Sequence, residues 1–151
     1  MPDKRTIEKA REDKREGKSA STQAGEFVRA EIDKIRRGEH GARSARQAIA
    51  IGLSEARRAG VDLPPPAKGK TKSSTRRSAK YAYDVGQGKR KPRRRPRVAR
   101  AVEDVLEREP RSTVSRQALS RQGKRAASRR TAAQRSAAAK KGARTRARRR
   151  S

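Results

Sequence analysis

The sequence predicts a mostly α-helical protein in which a small N-terminal helical hairpin is followed by a largely disordered, helix-prone basic region. Three observations point there. Leu, Ile, Val and Phe supply only 17 of 151 residues, about 11%, well under the ~20% below which a chain is too poor in large apolar residues for one full-length core. Of the hydrophobic residues, which make up 30% of the chain, 25 are Ala, a residue that favours helix while burying little area. The charge is also divided unevenly. Residues 1–66 hold 15 Lys and Arg against 11 Asp and Glu, whereas residues 67–151 hold 30 against 5, so +25 of the formal +29 follows Pro66.

The first element is a polar helix that Thr6 caps, running through Arg15 to Gly17, with little to bury. A stronger helix follows Ser21 and Thr22, where Ala24, Phe27, Val28, Ile32 and Ile35 recur at three- and four-residue spacing and Gly38 offers a stop. Its partner opens at a capping box of Ser44 and Gln47 and carries a narrow stripe of Ile49, Gly52, Leu53 and Ala56. Gly52 allows close helix approach. Gly60 suits a left-handed cap, with Val61 and Leu63 folding back over the last turns. The hairpin, from Ala20 to Leu63, holds fewer than ten large apolar side chains, so its own stability is marginal. Self-association through the hairpin, or a bound ligand, is what completes it.

The expected division is a helical domain over 1–63, a flexible Pro/Lys/Ser linker over 64–77, short helices around a basic run over 78–110, and a disordered basic tail over 111–151. Pro64-Pro65-Pro66 forms a short stiff spacer. A short helix spans Ser78 to Val85 and places Tyr81 and Tyr83 on different faces, one packed and one exposed, before Gly86-Gln87-Gly88 breaks it. Another runs from Pro96 to Pro110 with Val98, Val102, Val105 and Leu106 on one face. It also carries Glu103, Asp104, Glu107 and Glu109, four of the five acids after Pro66, which pair with nearby arginines or dock on the hairpin. From Arg111 onward there are 15 Lys and Arg and no acid, a composition expected to be disordered when free and partly helical on an anionic template.

So basic a chain calls for an anionic partner, because its own repulsion opposes compaction. Double-stranded DNA is the expected one, held through phosphate charge with little sequence specificity. The candidate contacts are Lys89, Arg90, Lys91, Arg93, Arg94, Arg95 and Arg97 in one run. The tail adds Arg121, Lys124, Arg125, Arg129, Arg130, Lys140, Lys141, Arg144, Arg146, Arg148, Arg149 and Arg150. Phe27, Tyr81 and Tyr83 are the only aromatic residues, too few for the stacking platforms of single-strand and RNA binders. RNA binding or association with a ribosome stays open as the alternative, since basic tails also thread folded RNA.

Chemistry of other kinds finds little footing. There is no Cys, and the one His, His40, sits in the Gly38-Glu39-His40-Gly41 turn as a cap or surface residue. No nucleophile motif, phosphate-cradling glycine loop, cofactor motif or metal-ligand spacing is present. The chain reads as non-enzymatic, with no cofactor and no metal. The N-terminus has no apolar signal segment and no stretch approaches the ~18 apolar residues of a membrane span. The expected location is therefore the cytoplasm, at the nucleoid.

Three resemblances add to this. Lys91-Pro92-Arg93-Arg94-Arg95-Pro96 resembles the AT-hook, whose Pro-Arg-Gly-Arg-Pro core lies in a narrow A·T minor groove. Arg94 stands where that motif has glycine, which puts a Cβ and a bulky cation at the point of closest approach. The final forty residues are similar in composition to linker-histone tails. Lys14 to Arg29, His40 to Ser44 and above all Gln47-Ala48-Ile49-Ala50-Ile51-Gly52-Leu53-Ser54-Glu55-Ala56-Arg57-Arg58-Ala59-Gly60-Val61 are similar to a small basic bacterial family of unknown function. That similarity covers Thr6 to Leu63. Its members are often labelled DNA-binding proteins, which implies a nucleoid-associated, histone-like role without assigning any residue to it.

Overall fold

A computed structural model describes residues 2–150. Its elements are α1 (Lys4–Arg15), α2 (Ala20–Arg37), α3 (Ala45–Arg58), α4 (Ser73–Gly86), α5 (Pro96–Arg108), a single 3-10 turn at Ser112–Val114, α6 (Arg116–Ser128) and α7 (Ala132–Arg148), with no strand among the described residues. Two compact units divide the chain, Met1–Val114 and Ser115–Ser151.

In the first unit, α2 and α3 form the expected hairpin. Phe27 and Ile35 are fully buried on α2, and Ala48 and Ala56 on α3. Gly52 is what lets the helices touch: a Cβ there would lie 2.6 Å from Val28 Cα. Both stops are as expected. Gly38 takes φ 85° with its N–H on Ile35 O, and Gly60 takes φ 93° while Val61 N–H returns to Ala56 O at 3.1 Å. The starts differ slightly. Ser19, not Ser21 or Thr22, caps α2, and Ser44 Oγ accepts from Gln47 N while Gln47 Oε1 reaches back to Arg43 N, one residue before the cap.

Three further pieces complete the hairpin. α1 starts at Asp3, whose side chain accepts from Arg5 N, while Thr6, the expected cap, is buried. The helix also buries more than its polarity suggests, since Ala10 joins Ala24, Phe27, Ala56 and Val61 in one core cluster with Ile7 packed against it. α4 begins at Ser73, ahead of the expected Ser78, and packs on α3 through buried Ala79 and Ala82. Gly86 lies so close to α3 that a Cβ would come within 1.7 Å of Arg57 O. The proline segment is pinned in between: Arg57 donates to Leu63 O and Pro64 O, and Arg76 to Pro66 O.

The third piece is the segment after α5. Gly41 N donates to Leu106 O at 2.8 Å, Ala42 N to Pro110 O at 3.1 Å, and Thr113 Oγ1 to Ala42 O at 2.7 Å. Arg36 Nη2 donates to Val114 O. Val114 itself is 1% exposed and closes a second cluster with Ile35, Ala42 and Ala48. Residues 106–114 are therefore a strap over the α2–α3 turn.

The tail expected to be disordered over 111–151 is instead helical. Its first residues belong to the strap, and α6 and α7 follow. Local signals account for the helices, because neither buries a residue. Ser115 Oγ accepts from Ala118 N to start α6, and Thr131 with Gln134 forms a full capping box for α7. Ala, with the highest helix propensity, fills 7 of the 17 positions of α7 and 3 of the 13 of α6. No helix among the described residues is long and apolar enough to cross a membrane.

Candidate nucleic-acid interface

Each of the nineteen cations nominated from sequence is exposed. They fall into two sets, the run at 89–97 in the first unit and the residues from Arg121 to Arg150 in the second.

The first set begins where α4 stops. Gly88 at φ 71° turns the chain, and Lys89 N and Arg90 N both donate to Asp84 O, at 2.8 and 3.1 Å. The tyrosines then hold the run against α4. The Arg90 guanidinium lies 5.1 Å from the Tyr81 ring centroid and the Lys89 ammonium 5.7 Å from that of Tyr83, both within cation–π range. Tyr81 Oη accepts from Arg93 N at 2.7 Å, and Tyr83 Oη donates to Asp62 Oδ1 at 2.6 Å. That bond, made by the protonated phenol, raises the Tyr83 pKa above its ordinary value. Both tyrosines are half-buried, so the expected split into one packed and one exposed ring is replaced by two rings doing similar work. The backbone of the run is anchored at 89, 90 and 93 while the side chains of Lys91, Arg93, Arg94, Arg95 and Arg97 remain exposed.

The second set rides on α6 and α7. Arg121 and Arg125 are one turn apart on α6, and Arg129 is its C-cap. On α7, Lys140, Lys141, Arg144 and Arg148 fall within about a third of the helix circumference at 100° per residue. Residues 115–151 contain 14 Lys and Arg and no Asp or Glu. No side-chain carboxylate within the unit neutralises them.

Sequence reasoning missed a second site of opposite sign. A cleft of about 440 Å³ between α2, α3 and α5 is lined by Glu31, Lys34, Glu39, His40, Ile51, Glu55, Glu103, Leu106 and Glu107. Glu31 is 1% exposed. His40 Nε2 lies 3.3 Å from Glu31 Oε1, and Lys34 Nζ lies 3.8 Å from Glu31 Oε2 and 3.5 Å from Glu55 Oε1. Burial raises the Glu31 pKa above its ordinary value, against the pull of His40, and the neighbouring Glu55 raises it further. His40 is thus half-buried beside a carboxylate rather than a free turn residue. No spacing in the sequence marks this cleft, because α5 must dock before its acids meet those of the hairpin.

The raised Glu31 pKa has a signed consequence. Between the ordinary carboxylate value and the raised one the folded state binds more protons than the unfolded state, so stability falls as pH rises through that window. Glu31→Gln is expected to flatten this slope in thermal melts taken from acid to neutral pH. An unchanged slope contradicts the assignment.

The fold and these surfaces define an all-helical polycation with a small folded core and exposed basic helices. Residues 3–68 match the family described as "Family of unknown function (DUF6496)". The match spans α1 to α3 and the proline segment, which includes the stretch whose resemblance was noted above, and its description names no activity. No curated protein and no solved structure matches the chain.

Proposed function

We propose that the protein is a non-enzymatic, nucleoid-associated DNA-binding protein that grips the phosphate backbone with little regard to sequence. The observation that carries this reading is the 115–151 unit, with 14 Lys and Arg, no acid, and each of its nominated cations exposed. Helices already formed before binding lower the ordering cost that a disordered tail would meet on its template. The 89–97 run adds a second cationic surface. Deep minor-groove insertion of that run is disfavoured on two counts: Arg94 occupies the glycine position, and the Arg93 N–H is already held by Tyr81. The run is better suited to phosphates along the groove edge. The core of the first unit, near neutral up to Pro66, supplies a scaffold for α4 and the run rather than the principal contact surface.

Competition at equal length among duplex DNA, single-stranded DNA and a folded RNA, at two salt concentrations, tests the partner. Duplex DNA is expected to compete best. A clear preference for folded RNA overturns the DNA assignment in favour of an RNA-binding or ribosome-associated role.

A further inference from the structure

The acidic cleft between α2, α3 and α5 has no part in the DNA reading. Five carboxylates line it against one Lys and one His, a local excess of negative charge in a strongly cationic chain. Some of that charge is met from within: Arg37 Nη2 holds Glu39 at 2.7 Å, and Lys34 stands between Glu31 and Glu55. The deepest acceptors are not. Glu31 is 1% exposed and lines the cleft, yet its Oε1, 3.3 Å from His40 Nε2, has no hydrogen-bond partner. The buried Oε2 of Glu55 has none either. Native proteins leave few buried acceptors unsatisfied, so two in one cleft point to a donor that comes from outside the chain.

α5 adds two more acids. Glu103 and Glu107 are exposed, lie one turn apart on the face that lines the cleft, and make no ion pair among the described residues. Like charges at this spacing repel one another. Water can serve the two buried oxygens, but it leaves that repulsion uncompensated. The lining narrows the chemistry further. No group of three or more acidic or His side chains among the described residues is arranged to hold a metal ion, and the cleft, at about 440 Å³, is far larger than one ion requires. Ile51 and Leu106 supply apolar wall beside the carboxylates. The complement is an extended cation with ammonium groups separated by methylenes.

We propose that this cleft binds a linear aliphatic polyamine, with Glu31 and Glu55 accepting hydrogen bonds from one ammonium, Glu103 and Glu107 drawing another, and Ile51 and Leu106 against the methylenes. The positive charge of the chain opposes any cation. At physiological salt that repulsion is screened beyond about 8 Å, whereas the carboxylates of the cleft act at contact. An occupant also ties α5 to the hairpin. The proposal does not depend on the DNA reading.

Isothermal titration calorimetry of the nucleic-acid-free full chain with spermidine, at about 0.15 M salt, is expected to show one saturable site with a Kd on the order of 100 µM. Glu103→Gln with Glu107→Gln changes exposed positions only, so the fold is kept, and should weaken binding at least about tenfold. Glu8→Gln with Glu12→Gln makes the same change of net charge on the exposed side of α1 and should leave the Kd within about twofold. No saturable binding up to about 5 mM spermidine overturns the proposal. So does an equal loss in the two double variants, which makes the effect one of net charge. Displacement of spermidine by equimolar Mg²⁺ assigns the cleft to a metal ion, and saturation by an arginine-rich peptide that spermidine does not displace assigns it to a protein partner; either result overturns it as well.

Discussion

Deleting residues 115–151 is expected to lower duplex-DNA affinity on the order of 100-fold at near-physiological salt, because it removes 14 of the 45 cations and no acid. What remains, residues 1–114, keeps 31 Lys and Arg against 16 Asp and Glu, a formal +15. It also keeps the 89–97 run, so binding weakens and does not vanish. The cut belongs after Val114 because every residue of the two core clusters lies before it. A cut at Pro66, where the charge composition changes, strips α4 from α3 and the strap from the α2–α3 turn, and so confounds binding with folding. Residues 115–151 alone are expected to retain most of the affinity. Gel-shift titration of the two pieces checks both statements, and a 1–114 piece that binds as tightly as the full chain contradicts the assignment of the main contact surface.

The second large effect is on stability. At Gly41 a Cβ would lie 1.8 Å from Glu109 O and 2.4 Å from its carbonyl carbon, both backbone atoms. Gly41→Ala must therefore push the strap off the turn. That disturbs the bonds from Gly41 and Ala42 and uncovers Val114 beside Ile35. Overpacking of this kind, with partial loss of a buried side chain, is expected to cost about 3 kcal/mol. In a domain this size that lowers Tm by roughly 15 °C. Chemical denaturation of the full chain measures it, and a loss below about 0.5 kcal/mol, the range of ordinary surface substitutions, contradicts the close contact. DNA affinity should change less than tenfold in the same variant under folding conditions, since α6 and α7 form a separate unit.

The hairpin was legible because Phe27, Val28, Ile32 and Ile35 recur at helical spacing and because Gly38, Gly52 and Gly60 have physical jobs that few other residues can do. α5 was legible from Pro96 and its valines. What the sequence concealed is burial by small residues. Ala10, Ala79 and Ala82 read as helix formers in polar helices, yet they are what α1 and α4 press against their neighbours. The strap was hidden for a different reason: its bonds to the hairpin, half of them between backbone atoms alone, join residues some seventy positions apart, and Val114 is a single apolar residue at the edge of a basic tail. The tail helices were misjudged because lack of a core was read as lack of structure. The caps at Ser115 and Thr131 with Gln134, together with alanine, provide order without burial. Of the interface, the identity of the cations was readable from composition. The clamp of Tyr81 and Tyr83 on the run was not, because it joins residues six to twelve positions apart across a turn that the sequence marks only as a break.

The central claim is that phosphate charge holds the protein to DNA. The most direct measurement is the affinity of the full chain for one duplex, and for a second of equal length and different sequence, as salt is raised. If about eight cations meet phosphates at once, the logarithm of affinity falls against the logarithm of salt with a slope of roughly −7, and the two duplexes give nearly the same line. A shallow slope near zero, or two lines separated by more than about a hundredfold, would contradict it.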